Sequence, residues 1–405
     1  MRSERFEFIN GKGEKLAAKL DLPLGEPTAF ALFAHCFTCG KDILAAKRIA
    51  ERLSVHGIAT LRFDFTGLGA SEGEFANTHF SSNVDDLVAA ADHLRTMYRA
   101  PAILIGHSLG GAAVLAAADR IEEARAVVTI AAPADPRHVT GLFKQHIDMI
   151  REDGEVEVQL GGRPFRIKRE FLNDVAAQNL KERIAQLRKA LLIFHSPVDD
   201  LVGIDNASQI FAAAKHPKSF VSLDDADHLL SRKSDAIYVA NVIAAWTERY
   251  LDQPESVAKA ESDFGIVTVR ETGVGLYQQE IMSGPHRFLA DEPVRVGGQD
   301  TGPGPYDLLL AGLGACTAMT LRLYAERKDL PLERATVRLT HDKIHAEDCA
   351  ECETRAGTID RIDRRITLEG ALSEDQRKNL MAIADKCPVH RTLKSEIDIR
   401  TSEDP

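Results

Sequence analysis

The segment GHSLG at positions 106–110 has the residue types that could expose a nucleophilic serine, Ser108. An apolar run, AILIG, precedes it, and a stretch of small residues, GGAAVLAAADRI, predicts a helix after it. A serine on such a sharp strand-to-helix turn exposes its Oγ, and neighbouring glycines let the strand and the helix pack closely. The alternative is a plain glycine-rich turn capped by the serine. The flanking elements favour the nucleophile.

A serine hydroxyl is a weak nucleophile until a base takes its proton and a carboxylate orients that base. On a strand-turn-helix serine, the acid and then the base follow later in the chain. Asp199 follows the apolar strand in KALLIFHSPVDDLV, and His228 follows the next strand in SFVSLDDADHLLS. We predict Asp199 as the orienting acid and His228 as the base, with Asp200 as the competing acid. The alternative is a helix cap at Asp199 and a surface-loop histidine at His228.

Backbone amides must stabilise the negative charge that develops on a substrate oxygen during attack by the serine. One predicted donor is the amide of Leu109, the residue after the serine. The second is expected from the loop AHCFTCGKD after the first long strand, at Phe37 or Cys36, and we choose Phe37. In the same loop His35 is predicted to be structural. Asp64, which precedes the serine in the chain, is predicted to fix the loop that follows it.

A second candidate for chemistry is the pair Cys316 and Cys387. Small residues surround Cys316 in a predicted helix, and Cys387 precedes Pro388, a residue typical of the first helical position. A cysteine at a helix N-terminus sees partial positive charge, which lowers the pKa of its thiol. The pair therefore fits an attacking and a resolving thiol. The alternative is two buried structural cysteines.

The remaining four cysteines offer weaker signals. His345, Cys349 and Cys352 in HAEDCAECE have the spacing of zinc ligands, and Glu353 or a residue of a partner chain is the candidate for the fourth. Because no fourth ligand is obvious, we predict no metal and no cofactor. The alternatives are a polar loop with incidental cysteines or a reversible disulfide. Cys36 and Cys39 lie in the predicted oxyanion loop. Redox modulation of the serine chemistry through that pair is a hypothesis.

The elements that must position these residues fall into two regions. Over the first 250 residues, short apolar strands alternate with helical stretches, which predicts an α/β fold with a mostly parallel sheet covered on both faces. A segment at about 134–189 interrupts this rhythm and contains the hairpin-like EVEVQLGGRPFRIKRE. We predict a cap insertion over the C-terminal edge of the sheet, with Phe143, Met149 and Phe165 as candidates for an acyl pocket.

A polar stretch, DQPESVAKAESD at 252–263, reads as a linker between domains at 1–251 and 264–405. In the second domain three strands come first, then a long helix from about Pro305. Two strands, two helices and a last strand, EIDIR, follow. Strands grouped apart from helices predict an α+β domain.

Taken together, HCFTC, DFTGLGASEG, GHSLGG, HSPVDDLV and ADHLL resemble the α/β-hydrolases of the esterase/lipase or serine-aminopeptidase type, over residues 1–250. The resemblance implies hydrolysis of a small-molecule carboxylic ester through an acyl-serine. Residues 265–402 resemble the OsmC/Ohr-like thiol peroxidases through PYDLLLAGLGACTAM and CPVHRTL. That resemblance implies an intertwined homodimer, with Cys316 as peroxidatic and Cys387 as resolving cysteine, an organic hydroperoxide substrate and a dithiol reductant.

The chain departs from these families at a few positions. Cys36 stands where many hydrolase relatives carry glycine. The peroxidases carry a glutamate where this chain has Tyr306, followed by Asp307, and an arginine in a glycine-rich turn that ETGVGLY lacks. Arg287 substitutes for that arginine only if the fold brings it near. Two readings therefore stay open: an esterase fused to a peroxidase, or an esterase with a non-catalytic OsmC-like dimerisation module. A non-hydrolytic binding module is a third, disfavoured by the complete triad.

Composition excludes several other classes. The 405 residues are 44% hydrophobic and 27% charged, and 50 Lys+Arg against 61 Asp+Glu give a net charge of -11. Such an acidic chain is not expected to bind nucleic acid. No apolar run approaches the roughly 18 residues that span a bilayer, and the N-terminus lacks the apolar core of a signal peptide. We therefore expect a cytoplasmic protein that does not bind membranes.

Overall fold

The computed structural model describes residues 2–251, 265–284, 286–345 and 357–403. The chain divides into two compact units, Met1–Ile266 and Val267–Pro405. The predicted linker 252–263 lies outside the described residues. Cys349 and Cys352 also lie outside them, so the metal hypothesis at these cysteines stays untested.

The first unit is built on an eight-stranded sheet in the order β1-β2-β4-β3-β5-β6-β9-β10. Strands β3 to β6, β9 and β10 run parallel, whereas β1 and β2 add an antiparallel edge that the sequence pattern does not predict. The mostly parallel α/β sheet is confirmed. The strands of this unit are β1 (Arg2–Ile9), β2 (Lys15–Leu22), β3 (Ala29–Ala34), β4 (Ile58–Phe63), β5 (Ile103–His107), β6 (Ala126–Ile130), β7 (Glu155–Leu160), β8 (Arg163–Lys168), β9 (Ala190–His195) and β10 (Lys218–Ser222).

Helices cover both faces of this sheet. The helices are α1 (Leu44–Val55), α2 (Phe80–Met97), α3 (Leu109–Ala117), α4 (Ile147–Asp153), α5 (Arg169–Ala177), α6 (Leu180–Ala185), α7 (Asp205–Ala213) and α8 (Lys233–Thr247). α1 and α8 pack on one face, and α2 and α3 on the other. Strands β3, β4, β5, β6 and β9 are buried along their whole length, which explains their continuous apolar runs.

The segment between β6 and β9 forms the cap insertion. A 3₁₀ helix, Pro136–His146, leads into α4, and β7 and β8 pair as the predicted antiparallel hairpin. Its two turn residues, Gly161 and Gly162, have φ of 56° and 77°, a conformation that a two-residue hairpin turn requires and glycine adopts freely. Asp174 of α5 accepts hydrogen bonds from the amide and hydroxyl of Ser81, which fasten the cap to α2.

The second unit is an α+β domain, as predicted. Its elements are β11 (Val267–Glu271), β12 (Gln279–Ser283), β13 (His286–Ala290), α9 (Pro305–Arg327), β14 (Arg334–His345), β15 (Thr358–Glu369), α10 (Glu374–Ala384) and α11 (Pro388–Leu393). β11 to β13 form one antiparallel sheet, and β14 and β15 form another. The prediction of a last strand in EIDIR is wrong. Within the described part of the chain that segment has no neighbouring strand to pair with, and alternation alone does not make a strand.

Much of the apolar surface of helix α9 is exposed in the second unit. It buries only Leu313, Thr317, Leu321 and Ala325, while Met319 is 70% exposed. Its length and apolar composition would allow it to cross a membrane, so the expectation that no segment approaches such a span does not hold for α9. An exposed apolar face of this extent normally marks an interaction site.

Candidate active site

Ser108 lies on a sharp turn between β5 and α3. Its backbone has φ 54° and ψ −125°, a conformation that L-residues adopt only when the surroundings impose it. The amide of Ser108 donates to the Ile130 carbonyl at 2.8 Å, which holds the turn against β6. A Cβ at Gly106 would lie 2.2 Å from the Gly110 carbonyl oxygen, so only glycine permits this approach of strand and helix. The turn presents the hydroxyl of Ser108 at the C-terminal edge of the sheet.

The structure brings Ser108, His228 and Asp199 into one hydrogen-bonded chain. His228 Nε2 lies 3.0 Å from Ser108 Oγ, and its Nδ1 lies 2.7 Å from Asp199 Oδ2. The carboxylate therefore accepts the Nδ1 proton, which leaves Nε2 free to accept the serine proton. This order of donors and acceptors is the one that activates a serine for acyl transfer.

The structure distinguishes the two neighbouring acids. Asp199 is 7% exposed, and its Oδ1 accepts the amides of Leu201 and Val202 at 2.9 Å each. Burial raises the pKa of Asp199, but the hydrogen bonds from His228, Val202 and Leu201 outweigh burial and lower that pKa below its ordinary value. Asp200 is exposed. The geometry therefore places Asp199, and not Asp200, against the histidine.

His107 supports the site, although the sequence pattern assigns it no role. Its Nε2–H donates to the backbone carbonyl of His228 at 2.7 Å, and the two rings lie 5.3 Å apart. Burial, together with the nearby His228, lowers the pKa of His107 to about 4. His107 is therefore neutral at pH 7, and its single ring proton fixes the backbone of the predicted base.

We expect this buried histidine to make the first unit sensitive to acid. The pKa of His107 is lower in the folded chain than its ordinary value of 6.5. The unfolded chain therefore binds more protons between these values, and stability falls as the pH drops from 6.5 toward 4. His107→Gln keeps a donor and does not titrate. Wild type should lose about 2 kcal/mol more than His107→Gln between pH 7 and pH 5.

Urea unfolding at the two pH values measures this difference. The fluorescence of Trp246, the single tryptophan of the chain, reports on the first unit because it lies in α8. Equal losses of stability in the two proteins would contradict the assignment of the buried titration to His107.

The two predicted oxyanion donors border the same narrow cavity. Phe37 and Leu109 both line it, next to Phe65 and Phe75. Leu109 opens α3, where the first amides of a helix have no intrahelical acceptor. Within the described residues, neither the Phe37 nor the Leu109 amide donates to another protein group. Both amides are therefore available to a ligand.

The cap residues suggested for an acyl pocket lie elsewhere. Phe143 is buried in the core, and Met149 is 45% exposed. Phe165 does not line the cavity, but its ring packs against that of Phe75, which does, with ring centres 4.8 Å apart. The aromatic wall of the cavity comes instead from Phe37, Phe65 and Phe75, all of which lie outside the cap.

Asp64 fixes two loops rather than one. It accepts the Ala70 amide at 3.0 Å, which confirms the prediction that it holds the following loop. It also accepts the amide and the ammonium group of Lys41, each at 2.6 Å, at the end of the oxyanion loop. Burial raises the pKa of Asp64, but these bonds outweigh it and lower that pKa. His35, as predicted, is a buried structural residue whose ring bonds the Cys36 carbonyl at 2.8 Å.

A disulfide joins Cys36 and Cys39 across the oxyanion loop. The bond closes a short turn in which the Cys39 amide donates to the Cys36 carbonyl at 3.2 Å, and Phe37 lies inside that turn. Arg163 of the cap hairpin donates to the Thr38 carbonyl at 2.6 Å from the other side. The bond thus restricts the backbone that carries the predicted donor Phe37.

We expect reduction of this disulfide to slow the ester hydrolysis predicted from the sequence by about 10-fold, mainly in kcat. Loss of one oxyanion donor costs roughly 10²- to 10³-fold, and a loosened donor should cost less. The measurement compares hydrolysis of a short-chain ester with and without dithiothreitol. The Cys36→Ser/Cys39→Ser variant is the control, since reductant should not change its rate. A wild-type rate that stays constant on reduction would speak against redox modulation.

The second unit brings Cys316 and Cys387 together. Both are free thiols, with Cys387 buried and Cys316 half-buried, and the hydroxyl of Thr317, the residue after Cys316, lies 3.6 Å from Cys387 Sγ. Of the substitutes considered for the missing peroxidase residues, Arg287 contacts Glu280 and Met282. Asp307 caps the start of α9 through the Gly304 amide. Tyr306 stacks on His341 with ring centres 4.1 Å apart.

No group of metal-ligating side chains is present among residues 2–251, 265–284, 286–345 and 357–403. His345 ends β14 within these residues. Its two suggested co-ligands lie in 346–356, which the structure does not describe.

Family profiles match nearly all of the chain beyond its first strands. The profile described as the alpha/beta hydrolase family matches residues 31–296, and that of OsmC-like proteins matches residues 298–402. The esterase domain of a Rhodothermus marinus protein is 50% identical, with 62% of this chain and 100% of that domain covered and a TM-score of 0.53.

Two curated relatives are more distant. The mitochondrial palmitoyl-protein thioesterase ABHD10 of Mus musculus is 28% identical over 216 residues, which are 50% of this chain and 70% of that enzyme. The monoglyceride lipase of Rattus norvegicus is 31% identical over 116 residues, 28% of this chain and 38% of the lipase. Both similarities concern hydrolases.

Proposed function

This chain belongs to the alpha/beta hydrolase family and carries an OsmC-like domain after it, and we propose that its first unit is a serine hydrolase of carboxylic esters. The observation that carries the proposal is the chain of hydrogen bonds from Ser108 through His228 to Asp199, at 3.0 and 2.7 Å. The 50% identical Rhodothermus marinus esterase domain favours an ester substrate.

The proposed reaction uses each of these groups in turn. His228 Nε2 takes the proton of Ser108 as Oγ attacks the ester carbonyl, and the amides of Phe37 and Leu109 stabilise the oxyanion. His228 then gives that proton to the departing alcohol, which leaves an acyl-serine. Water activated by His228 hydrolyses the acyl-serine and regenerates the enzyme. Asp199 holds the imidazole throughout and stabilises its positive charge.

Covalent labelling tests the nucleophile directly. A fluorophosphonate ester should attach to Ser108 and to no other serine, as read by mass spectrometry of digested peptides. Prior incubation with a short-chain p-nitrophenyl ester should slow the labelling. Labelling at a different serine, or the same labelling of protein unfolded in urea, would count against the proposal.

The pair Cys316 and Cys387 favours a second candidate function, the reduction of organic hydroperoxides with a dithiol as reductant. What supports it is the 3.6 Å approach of Thr317, the residue after Cys316, to Cys387 Sγ within the OsmC-like domain. The alternative is an OsmC-like module that only assembles the chain. Hydroperoxide consumption by the full-length protein, lost in Cys316→Ser and Cys387→Ser, separates the two.

We also propose that the second unit forms a homodimer. The support is the apolar face of α9, where Met319 and Leu323 are 70% and 53% exposed. Burying such residues against a second copy would remove this surface from water. Sedimentation velocity of wild type and of Met319→Glu tests this, because a charge in a buried interface should shift the protein toward monomer.

A further inference from the structure

The two thiols of the second unit have different surroundings. Cys387 Sγ accepts the His390 amide at 3.3 Å and lies 3.6 Å from the hydroxyl of Thr317. Cys316 directly precedes Thr317 on α9, and its thiol contributes to the lowered pKa of Cys387. Cys387 is fully buried, whereas Cys316 keeps contact with solvent. The buried sulfur is thus the one surrounded by hydrogen-bond donors, and the accessible sulfur is its neighbour.

The guanidinium group of Arg364 contacts Thr317, one of the groups around the sulfur of Cys387. Arg364 of β15 is only 12% exposed, and it donates to Thr317 Oγ1 at 3.0 Å and to the Ala384 carbonyl at 3.1 Å. Its other nitrogen donates to Asp385 at 2.5 Å. Arg364 therefore binds both α9, which carries Cys316, and the end of α10, which leads to Cys387.

The hydroxyl of Thr317 links the guanidinium group of Arg364 to the sulfur of Cys387. Because it accepts a hydrogen bond from Arg364, its own proton must point elsewhere. One acceptor is the Leu313 carbonyl at 2.8 Å, and the other is Cys387 Sγ. When the sulfur carries a negative charge, the hydroxyl gains by turning its proton to it. Arg364 strengthens that bond by polarising the hydroxyl.

We propose that Arg364 is the positioning residue of this thiol pair, that Cys387 holds the thiolate charge, and that Cys387 serves as the base for Cys316. This inference rests on the second proposed function, hydroperoxide reduction. Arg364 supplies the cation that is absent from the glycine-rich turn ETGVGLY. It lies in β15, outside both cysteine motifs.

Oxidation of Cys316 and formation of the disulfide are two successive steps. The Cys316 sulfur attacks the terminal peroxide oxygen while the Cys387 thiolate takes the Cys316 proton. The O–O bond breaks, an alkoxide leaves and takes a proton from water, and Cys316 becomes a sulfenic acid. The Cys387 thiol then attacks the Cys316 sulfur, which forms a disulfide and releases water. An external dithiol reduces that disulfide and is itself oxidised.

The charged and titratable groups facing the pair agree with this arrangement. Arg364 from β15 is the charged group that acts on Cys387, and Arg364, Asp385 after α10 and Lys394 after α11 act on the neighbouring His390 of α11. Burial raises the pKa of Cys387, but the Thr317, His390 and Cys316 hydrogen bonds and the charge of Arg364 outweigh it and lower that pKa. Burial and Arg364 lower the pKa of His390, so Arg364 is the cation at neutral pH.

Alkylation resolved by site tests the proposal on the full-length reduced protein. Iodoacetamide labels Cys316, and mass spectrometry of its peptide gives the rate at pH 7 and pH 10. Arg364→Met should lower the pH 7 rate of Cys316 by about 10-fold, because Cys316 loses its proton to the Cys387 thiolate and one pKa unit changes the fraction of Cys387 in that form tenfold. At pH 10 the rates should agree. Arg364→Lys should restore most of the pH 7 rate.

Matched variants keep the test decisive. Arg365→Met is the control, since Arg365 is the next residue of β15 and is exposed. It should leave both rates unchanged. Thr317→Val and Cys387→Ser should each repeat the loss at pH 7, which covers the case in which Arg364→Met fails to fold. Equal pH 7 rates in wild type, Thr317→Val and Cys387→Ser would overturn the proposal, as would an equal loss in Arg365→Met.

The peroxidase function is read out separately by hydroperoxide consumption. The alkylation shifts without any consumption would support the positioning role and refute the peroxidase function. Consumption that depends on Cys316, together with alkylation rates insensitive to Arg364→Met and Thr317→Val, would refute the positioning role alone.

Discussion

Ser108→Ala should reduce kcat/KM for a short-chain p-nitrophenyl ester by about 10⁴-fold or more. The variant removes the hydroxyl that lies 3.0 Å from His228 Nε2 and leaves the amides of Phe37 and Leu109 in place. The residual rate should therefore stay above that of buffer, because oxyanion stabilisation and binding survive the loss of the nucleophile. Alanine occupies the strained turn no less readily than serine, so the fold should persist.

The control for this loss is Ser208→Ala. Ser208 is exposed on α7 and takes no part in the site, so its substitution should leave the rate within about twofold of wild type. A Ser108→Ala rate equal to wild type would exclude the acyl-serine mechanism. Acyl groups of several lengths should be compared, since an inactive wild type on one ester does not test the nucleophile.

Asp199→Asn should reduce kcat/KM by roughly 10³- to 10⁴-fold, with little change in structure. The reason is that the two carboxylate oxygens of Asp199 accept hydrogen bonds from different donors. Oδ1 accepts the amides of Leu201 and Val202, and Oδ2 accepts the His228 Nδ1 proton. Asparagine must keep its one oxygen toward the two amides. Its NH₂ group therefore faces His228 and forces the tautomer whose Nε2 cannot accept the serine proton.

Asp200→Asn is the matched control for this variant. The two acids are adjacent in the chain, carry the same charge and differ in burial, so a general effect of lost charge would be equal in both. We expect Asp200→Asn to retain the wild-type rate within about twofold. Equal losses in both variants, or a larger loss in Asp200→Asn, would contradict the role given to Asp199. The thermal midpoint followed by Trp246 fluorescence shows whether either variant unfolds.

These variants distinguish the proposed activity of the first unit from that of the second. The serine and aspartate variants should leave hydroperoxide consumption unchanged, and Cys316→Ser should leave ester hydrolysis unchanged. Activity of the unaltered unit then controls for the amount of intact protein, and the fluorescence of Trp246 reports on the folding of the first unit. A substitution that abolishes both activities would point to unfolding and not to chemistry.

The linear sequence by itself determined the elements and the residue types of the first site. An apolar run that ends in GHSLGG specifies a strand, a tight turn and a helix locally, because only glycine tolerates the contact between Gly106 and Gly110. The carboxyl ends of parallel strands meet at one edge, so Asp199 and His228 could be placed there from their position after strands. Local periodicity was also sufficient for the hairpin of the cap.

Only the tertiary structure decided which side chains meet. Asp199 and Asp200 are equivalent in the sequence, and burial against His228 distinguishes them. The positions of His107 and Arg364 follow from contacts with residues 121 and 47 positions away, which leave no local pattern. Long-range packing sets such contacts, since the sum of many weak side-chain interactions fixes how strands and helices approach one another. For the same reason EIDIR alternates like a strand but finds no strand to pair with in the described chain.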